Sequence, residues 1–161
     1  MNVYRPDERR LVLRLLAYWD DLRGERDYPR ADDIDAAQVG DDWAQCFLLR
    51  LADGQAGASQ LLHVGDGFLA ELPDGVPATL KEVPESALLH HAAGFIDLTL
   101  EKLVPVSLGG DAMLDAGRTL FRSVLLPLSN DGTTIDHLLG AANGRLLGAD
   151  TVTEVDEGAQ A

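Results

Sequence analysis

Two long apolar runs separated by a short polar break dominate the second half of the chain. Leu120 to Leu126 is rich in β-forming and bulky apolar residues, and Ile135 to Ala141 is apolar again. Between them, Pro127 to Gly132 carries Pro, Ser, Asn, Asp and Gly, which preset a turn or tolerate positive φ. That arrangement predicts an antiparallel hairpin. Near the other end, Leu11, Val12, Leu15, Leu16, Tyr18, Trp19 and Leu22 recur at helical spacing, with Arg9, Arg10, Arg14, Asp20 and Asp21 mainly on the opposite face. Pro6, Asp7 and Glu8 suit the start of such a helix and Gly24 its stop. Its apolar face can pack on the domain's own sheet or on a second copy of the chain.

The middle of the chain reads less regularly. Glu25 to Asp42 is a polar connector, with a short helical turn around Ile34 to Val39. Trp43 to Leu51 and Gln60 to Val64 read as strands joined by the small-residue turn Ala52 to Ala58, with Phe47, Leu49 and Leu51 on one face. Gly65-Asp66-Gly67 closes the second strand, and Phe68 to Leu72 begins a short helix. Pro73, Pro77 and Pro84 leave only a turn near Ala78 to Glu82. Ser86 to Leu103 reads as one long helix, with Glu85 and Ser86 placed after Pro84 for an N-terminal cap and Pro105 ending it. His90, Asp97 and Glu101 fall on its polar face and His91 on the boundary. Val104 to Leu108 then starts a third strand, turned by Gly109-Gly110-Asp111. The sum is an α+β fold with a five-stranded antiparallel sheet, helices packed on one face and an N-terminal amphipathic helix.

Composition narrows the function more than the fold. The 161 residues suit one domain with one core. Their formal net charge is −14, a field that repels phosphate backbones and argues against a nucleic-acid partner. The charge is uneven: seven Arg face six acids in residues 1–30, leaving six basic residues against 21 acids beyond. The single cysteine, Cys46, excludes an internal disulfide and a multi-cysteine zinc site, and its place in a strand favours a buried structural role. Asp32, Asp33 and Asp35 lack the ligand spacing of a calcium loop and read as a solvated capping segment, so no metal site is expected. Leu11 to Leu16 is too short for a membrane span or signal peptide, which makes a cytoplasmic location the expectation. No GxSxG, HExxH, Walker or Rossmann signature is present, and the chain is not expected to be an enzyme.

The order of elements, together with particular residues, resembles a bacterial single-domain PAS family. Leu15 to Asp35 (LLAYWDDLRGERDYPRADDID) is similar to that family's opening signature of a Trp and a Leu-Arg-Gly before a Pro-Arg and an Asp-Ile-Asp. Leu126 to Gly132 (LPLSNDG) and Ile135 to Leu139 (IDHLL) resemble its closing hairpin, and His63-Val64-Gly65 sits where its second strand ends. The region Asp66 to Glu85 departs from the pattern. The resemblance implies a sensory or regulatory protein with no output domain of its own. It would act through a homodimer, a small-molecule ligand or a signalling partner such as a kinase or cyclase. The alternative is a ligand-free interaction module. The implied organisation is an N-terminal helix and connector (1–30), a PAS-like domain (31–149) and an acidic flexible tail (150–161).

Candidate sites follow from that frame. Ligand-binding candidates between sheet and helices are Phe47, Leu49, His63, His91, Phe95, Phe121 and Ser123. Dimer-interface candidates are Leu11, Leu15, Tyr18, Trp19 and Leu22. The cofactor stays open. The resemblance puts His90 and His91 on the helix where haem-binding PAS domains carry their iron ligand, with His91 better placed; the competing reading is two surface histidines. Arg118 and Arg122 on the fourth strand suit an anionic ligand or partner, or an outer-face ion pair.

Overall fold

The computed structural model describes residues 6–52 and 56–147. The expected acidic tail, 150–161, lies outside them. The N-terminal periodicity forms helix α1, Pro6–Arg23. Gly24 ends it with φ of 60°, a conformation that suits glycine at a helix stop. A short helix α2 (Ala36–Val39) follows, with Asp35 as N-cap accepting from the Ala37 N–H at 3.0 Å. Asp33 accepts from the Arg30 N–H and pairs with Arg26. The acidic cluster thus caps and pairs locally.

Five strands form one antiparallel sheet: β1 (Cys46–Arg50), β2 (Gln60–Val64), β3 (Val106–Leu114), β4 (Gly117–Leu128) and β5 (His137–Leu146). Their order is β2-β1-β5-β4-β3. The long apolar runs become β4 and β5, which place the expected hairpin at the sheet's centre. Asp131 organises its loop: the carboxylate accepts from the Ser129 hydroxyl and from the Thr133 and Thr134 N–H groups, at 2.8–2.9 Å. Three expectations need correcting. Trp43 lies in a 3-10 segment, Gly40–Gln45, before β1 rather than in the strand. Gly109-Gly110-Asp111 is not a turn but the middle of β3, because every residue from Val106 to Leu114 pairs with β4. The chain reverses instead at Asp115-Ala116.

The third correction is the helix expected over Ser86 to Leu103. It is two helices, α3 (Leu88–Ala92) and α4 (Ile96–Lys102). Gly94 lies in the break, where a residue with poor helix propensity costs least. The cap also differs. Ser86 is not the N-cap; the Leu88 N–H is accepted by Glu71 Oε1 at 2.9 Å, from the 3-10 segment Asp66–Glu71.

The sheet has two apolar faces. On one, α3, α4 and the Asp66–Glu71 segment close over Phe47, Leu49, Leu125, Leu138 and Ala142. On the other, α1 lays Leu11, Val12, Leu15 and Trp19 over Cys46, Val124, Leu126, Leu128, Leu139 and Ala141. Burial of this many large side chains, at about 1.5–3 kcal/mol each, is what α1 gains by docking on its own sheet. The Trp19 indole N–H also donates to the Pro127 carbonyl at 2.8 Å, so the ring's one polar atom is satisfied where it is buried.

Candidate functional site

Alternation along β4 sorts its residues between the two faces. Phe121, Ser123 and Leu125 look toward α3 and α4. The Ser123 hydroxyl donates to the Ala92 carbonyl at 2.7 Å and is fully buried. The Phe121 ring lies 6.2 Å from that of His91. Phe47 and Leu49 from β1 and Phe95 from the α3–α4 break join the same layer. Six of the seven expected ligand residues therefore share one side of the sheet.

His63 does not join them. The pairing of β1 with β2 shifts between Leu48 and Leu49: His63 faces Leu48, but Leu61 faces Leu49, leaving Leu62 as the extra residue of a bulge. Directly paired residues share a face. Val64 and Leu61 thus point at the helices with Phe47 and Leu49, while His63 points the other way with Leu48. There it stacks on Trp43, with ring centroids 4.1 Å apart and 14° between planes. Its Nε2 is buried with no partner among the described residues, and burial holds its pKa below the usual histidine value.

The interior between sheet and helices is occupied by side chains. Phe47 is 0% exposed, and its ring lies so close to Gly140 of β5 that a Cβ there would overlap it. Phe68 meets Phe47 edge-on at 5.7 Å between centroids. This Phe47–Gly140–Phe68 unit packs the interior between β1, β5 and the Asp66–Glu71 segment. Gly140 and Phe68 were not among the expected site residues. The available signal was a lone glycine in a strongly apolar strand, which marks a close approach.

The histidine pair is also accounted for. His91 Nε2 is 2.7 Å from the Glu85 carbonyl, which can only accept, so Nε2 carries the proton. That removes the nitrogen a haem iron would need, and His91 does not fit an axial ligand. His90 opens onto a cleft of about 270 Å³, lined also by Gly57, Leu80, Lys81, Gly94 and Asp97. Cys46 is fully buried on the α1 side, its Sγ 3.4 Å from the Asp42 carbonyl. Burial pushes its thiol up to about 12, so it is a poor nucleophile.

Of the expected dimer residues, Leu11, Leu15 and Trp19 are buried against the chain's own sheet, and Tyr18 and Leu22 are half-buried. The Tyr18 hydroxyl oxygen accepts from the Asp35 N–H at 2.9 Å. As placed, these residues serve packing within the chain. Arg118 forms an ion pair with Asp111 at 2.9 Å, on the α1 side of the sheet. No helix among the described residues is long and apolar enough to cross a membrane.

A helix on one face of an antiparallel β2-β1-β5-β4-β3 sheet and short helices on the other agree with the resemblance in the sequence. Residues 8–143 match the PAS domain family. The chain belongs to that family. This PAS domain is, in its class, a sensory or regulatory one. Among solved structures it is similar to the PAS domain of BvgS from Bordetella pertussis, at 14% identity over 68% of this chain and 82% of that one, TM-score 0.44. It is also similar to the PAS domain of the fruit-fly ELK potassium channel, at 17% identity over 66% and 91%, TM-score 0.42. A third is the dark structure of the blue-light photoreceptor Aureochrome1 LOV, at 16% identity over 75% and 96%, TM-score 0.43. No curated protein matches the chain.

Proposed function

We infer that this PAS domain regulates through contact with another protein, without holding a small molecule between sheet and helices and without catalysing a reaction. The observation that carries the reading is Phe47, whose buried ring lies against Gly140 and Phe68 and takes the space an apolar ligand would need. Core packing this close leaves an added ligand only the option of displacing side chains, at a cost of roughly 1–3 kcal/mol per overpacked site. The partner class is a signalling protein such as a kinase or cyclase in the cytoplasm, and a second copy of the chain is a further partner. A homodimer would have to use surfaces other than Leu11, Leu15 and Trp19, since these are spent on the sheet. One observation favours a second reading: the cleft at His90, Lys81 and Asp97 offers both signs of charge to a small polar molecule.

Native mass spectrometry of the purified chain, with an absorption spectrum of the same sample, tests this. The expected result is the bare mass of the chain or of its oligomer and no visible band. A retained extra mass, or a haem or flavin band, would overturn the ligand-free reading.

A further inference from the structure

The two edges of the sheet are finished differently. β2 is short and bulged, and the segment after Pro77 runs along its outer side: the Leu61 N–H donates to the Ala78 carbonyl at 3.0 Å, the Leu80 N–H donates to the Ser59 carbonyl at 2.9 Å, and Gln60 bridges to Thr79. A short, bulged and covered edge resists further pairing. β3, the opposite edge, has none of these protections. It pairs with β4 without a bulge from Val106 to Leu114, and it carries no proline, no lysine and a single charge, Asp111. Ser107, Leu108, Gly109, Asp111 and Met113 are exposed.

The pairing fixes which backbone groups of β3 are left over. The Arg118 carbonyl accepts from the Leu147 N–H at 2.8 Å, so Arg118 turns its backbone toward β5. By alternation Gly117, Thr119, Phe121, Ser123 and Leu125 turn theirs toward β3. Their partners Val106, Leu108, Gly110, Ala112 and Leu114 are therefore bonded to β4. Ser107, Gly109, Asp111 and Met113 aim their N–H and C=O groups away from the sheet. The side chains of these same residues lie on the α1 side, where Gly109 leaves a gap. The Arg122 guanidinium reaches across it, with Cζ 3.8 Å from where a Cβ of Gly109 would stand.

We propose that β3 docks on β3 of a second copy of this chain, antiparallel about a two-fold axis through Gly110. This register sets Ser107 against Met113 and Gly109 against Asp111, so outward N–H groups meet outward carbonyls along the whole strand. Leu108 meets Ala112 on the other face. Gly110 meets its own copy at a pair without hydrogen bonds, where strands approach most closely and no side chain intervenes. Across the gap at Gly109, Arg122 of each copy reaches the Asp111 carboxylate of the other. The strand itself excludes the neighbouring registers. An axis at Asp111 opposes two carboxylates, and an axis at Gly109 sets Met113 against Pro105, which has no N–H to give. Each chain carries a net charge of −14, so association is opposed at long range and needs physiological salt to screen it. The proposal rests on the reading that a second copy is a partner, and not on the interior being free of ligand.

The test is hydrogen exchange on the full chain, with sedimentation of the same samples. The amides of Ser107, Gly109, Asp111 and Met113 should exchange freely in dilute solution and slow several-fold as a dimer forms at concentrations up to about 1 mM. The amide of Leu62, at the other edge, should not change. Arg122→Asp and Asp111→Arg should each leave the chain monomeric. An equal mixture of the two should dimerise again, because the reversed charges then face each other in both contacts. Urea midpoints close to that of the natural chain show that the variants fold; where one does not, the amides of the natural chain decide. A chain still monomeric at about 1 mM, or a dimer that leaves those amides free, would overturn the proposal. Protection independent of concentration would place a cover from the chain itself on the edge and overturn it equally, as would folded single variants that dimerise unchanged or a mixture that stays monomeric.

Discussion

The two faces of the sheet are built from the same strands and do opposite things with them. Toward α3 and α4, Phe121 of β4 lies by the His91 ring, Ser123 bonds to the Ala92 carbonyl and Leu125 joins the buried core, and Phe47 presses on the backbone of Gly140. Toward α1, Leu11, Val12, Leu15 and Trp19 pack on Val124, Leu126 and Leu128, and β4 also carries Arg118 and Arg122 on that side. A single helix can cover only a band about 10 Å wide, whereas two short helices at an angle with a 3-10 segment cover a whole sheet face. The first face is therefore closed and structural. The second is packed under one helix, whose buried residues hold it to the sheet.

The largest expected effect comes from breaking the closed face. Phe47→Ala removes a fully buried ring from between Gly140 and Phe68 and should destabilise the domain by about 3–5 kcal/mol, read as a shift in urea midpoint. It should also open an apolar cavity able to take benzene or indole, seen as a rise in midpoint on adding either. Gly140→Ala attacks the same contact from the other side, and Phe47→Leu in the same chain should recover part of its loss. If Phe47→Ala costs under about 1 kcal/mol, the interior is less tightly filled than this packing implies.

The next effect tests what α1 does on the second face. Deleting residues 1–24 would bare Val124, Leu126, Leu128 and Leu139. The truncated chain should then self-associate, with a larger sedimenting species than the full chain. A helix that joined two copies through Leu11, Leu15 and Trp19 would give the reverse, a dimer falling to a monomer. Trp19→Phe is the gentler probe: it keeps the ring and loses the bond to the Pro127 carbonyl, for about 1 kcal/mol in urea unfolding.

Much of this was legible in the residues. Helical spacing in α1 and the turn chemistry around Asp131 are local signals, and the structure follows them closely. Alternation also placed Phe47 and Leu49 on one face correctly. What failed depended on partners distant in sequence. Gly109-Gly110 has the composition of a turn, and only nine consecutive pairings with β4 hold it extended. His63 was assigned to the wrong face because a bulge at Leu62 shifts the period of β2, and a bulge leaves no mark in so short a strand. Gly94 was the readable exception: a glycine inside a helical pattern weakens the case for one continuous helix. The arginines at 118 and 122 were visible, but that Asp111 on the neighbouring strand meets Arg118 was not.

The smallest effect concerns His63, at the β2 edge of the α1 side. Its ring is stacked on Trp43 and its buried Nε2 has no described partner, so protonation would place an N–H donor where nothing accepts it. Burial lowers its pKa, and a hydrogen bond to the Trp43 backbone and the nearby Asp66 oppose this only in part. The unfolded chain takes up the proton near about pH 6.5, the folded chain only at lower pH. Between those two values the unfolded state binds more protons, so stability should fall as pH drops through the window and rise with pH across it. His63→Phe keeps a ring on Trp43 and removes the titration. The urea midpoint of the natural chain should therefore fall relative to that of the variant between about pH 7 and pH 5. Asp33, Glu82 and Asp131 are held low by hydrogen bonds, so their contribution is lost at lower pH and equally in both chains. Parallel curves through the window would mean that His63 titrates alike folded and unfolded, and that the stack on Trp43 is too open to exclude water from its nitrogen.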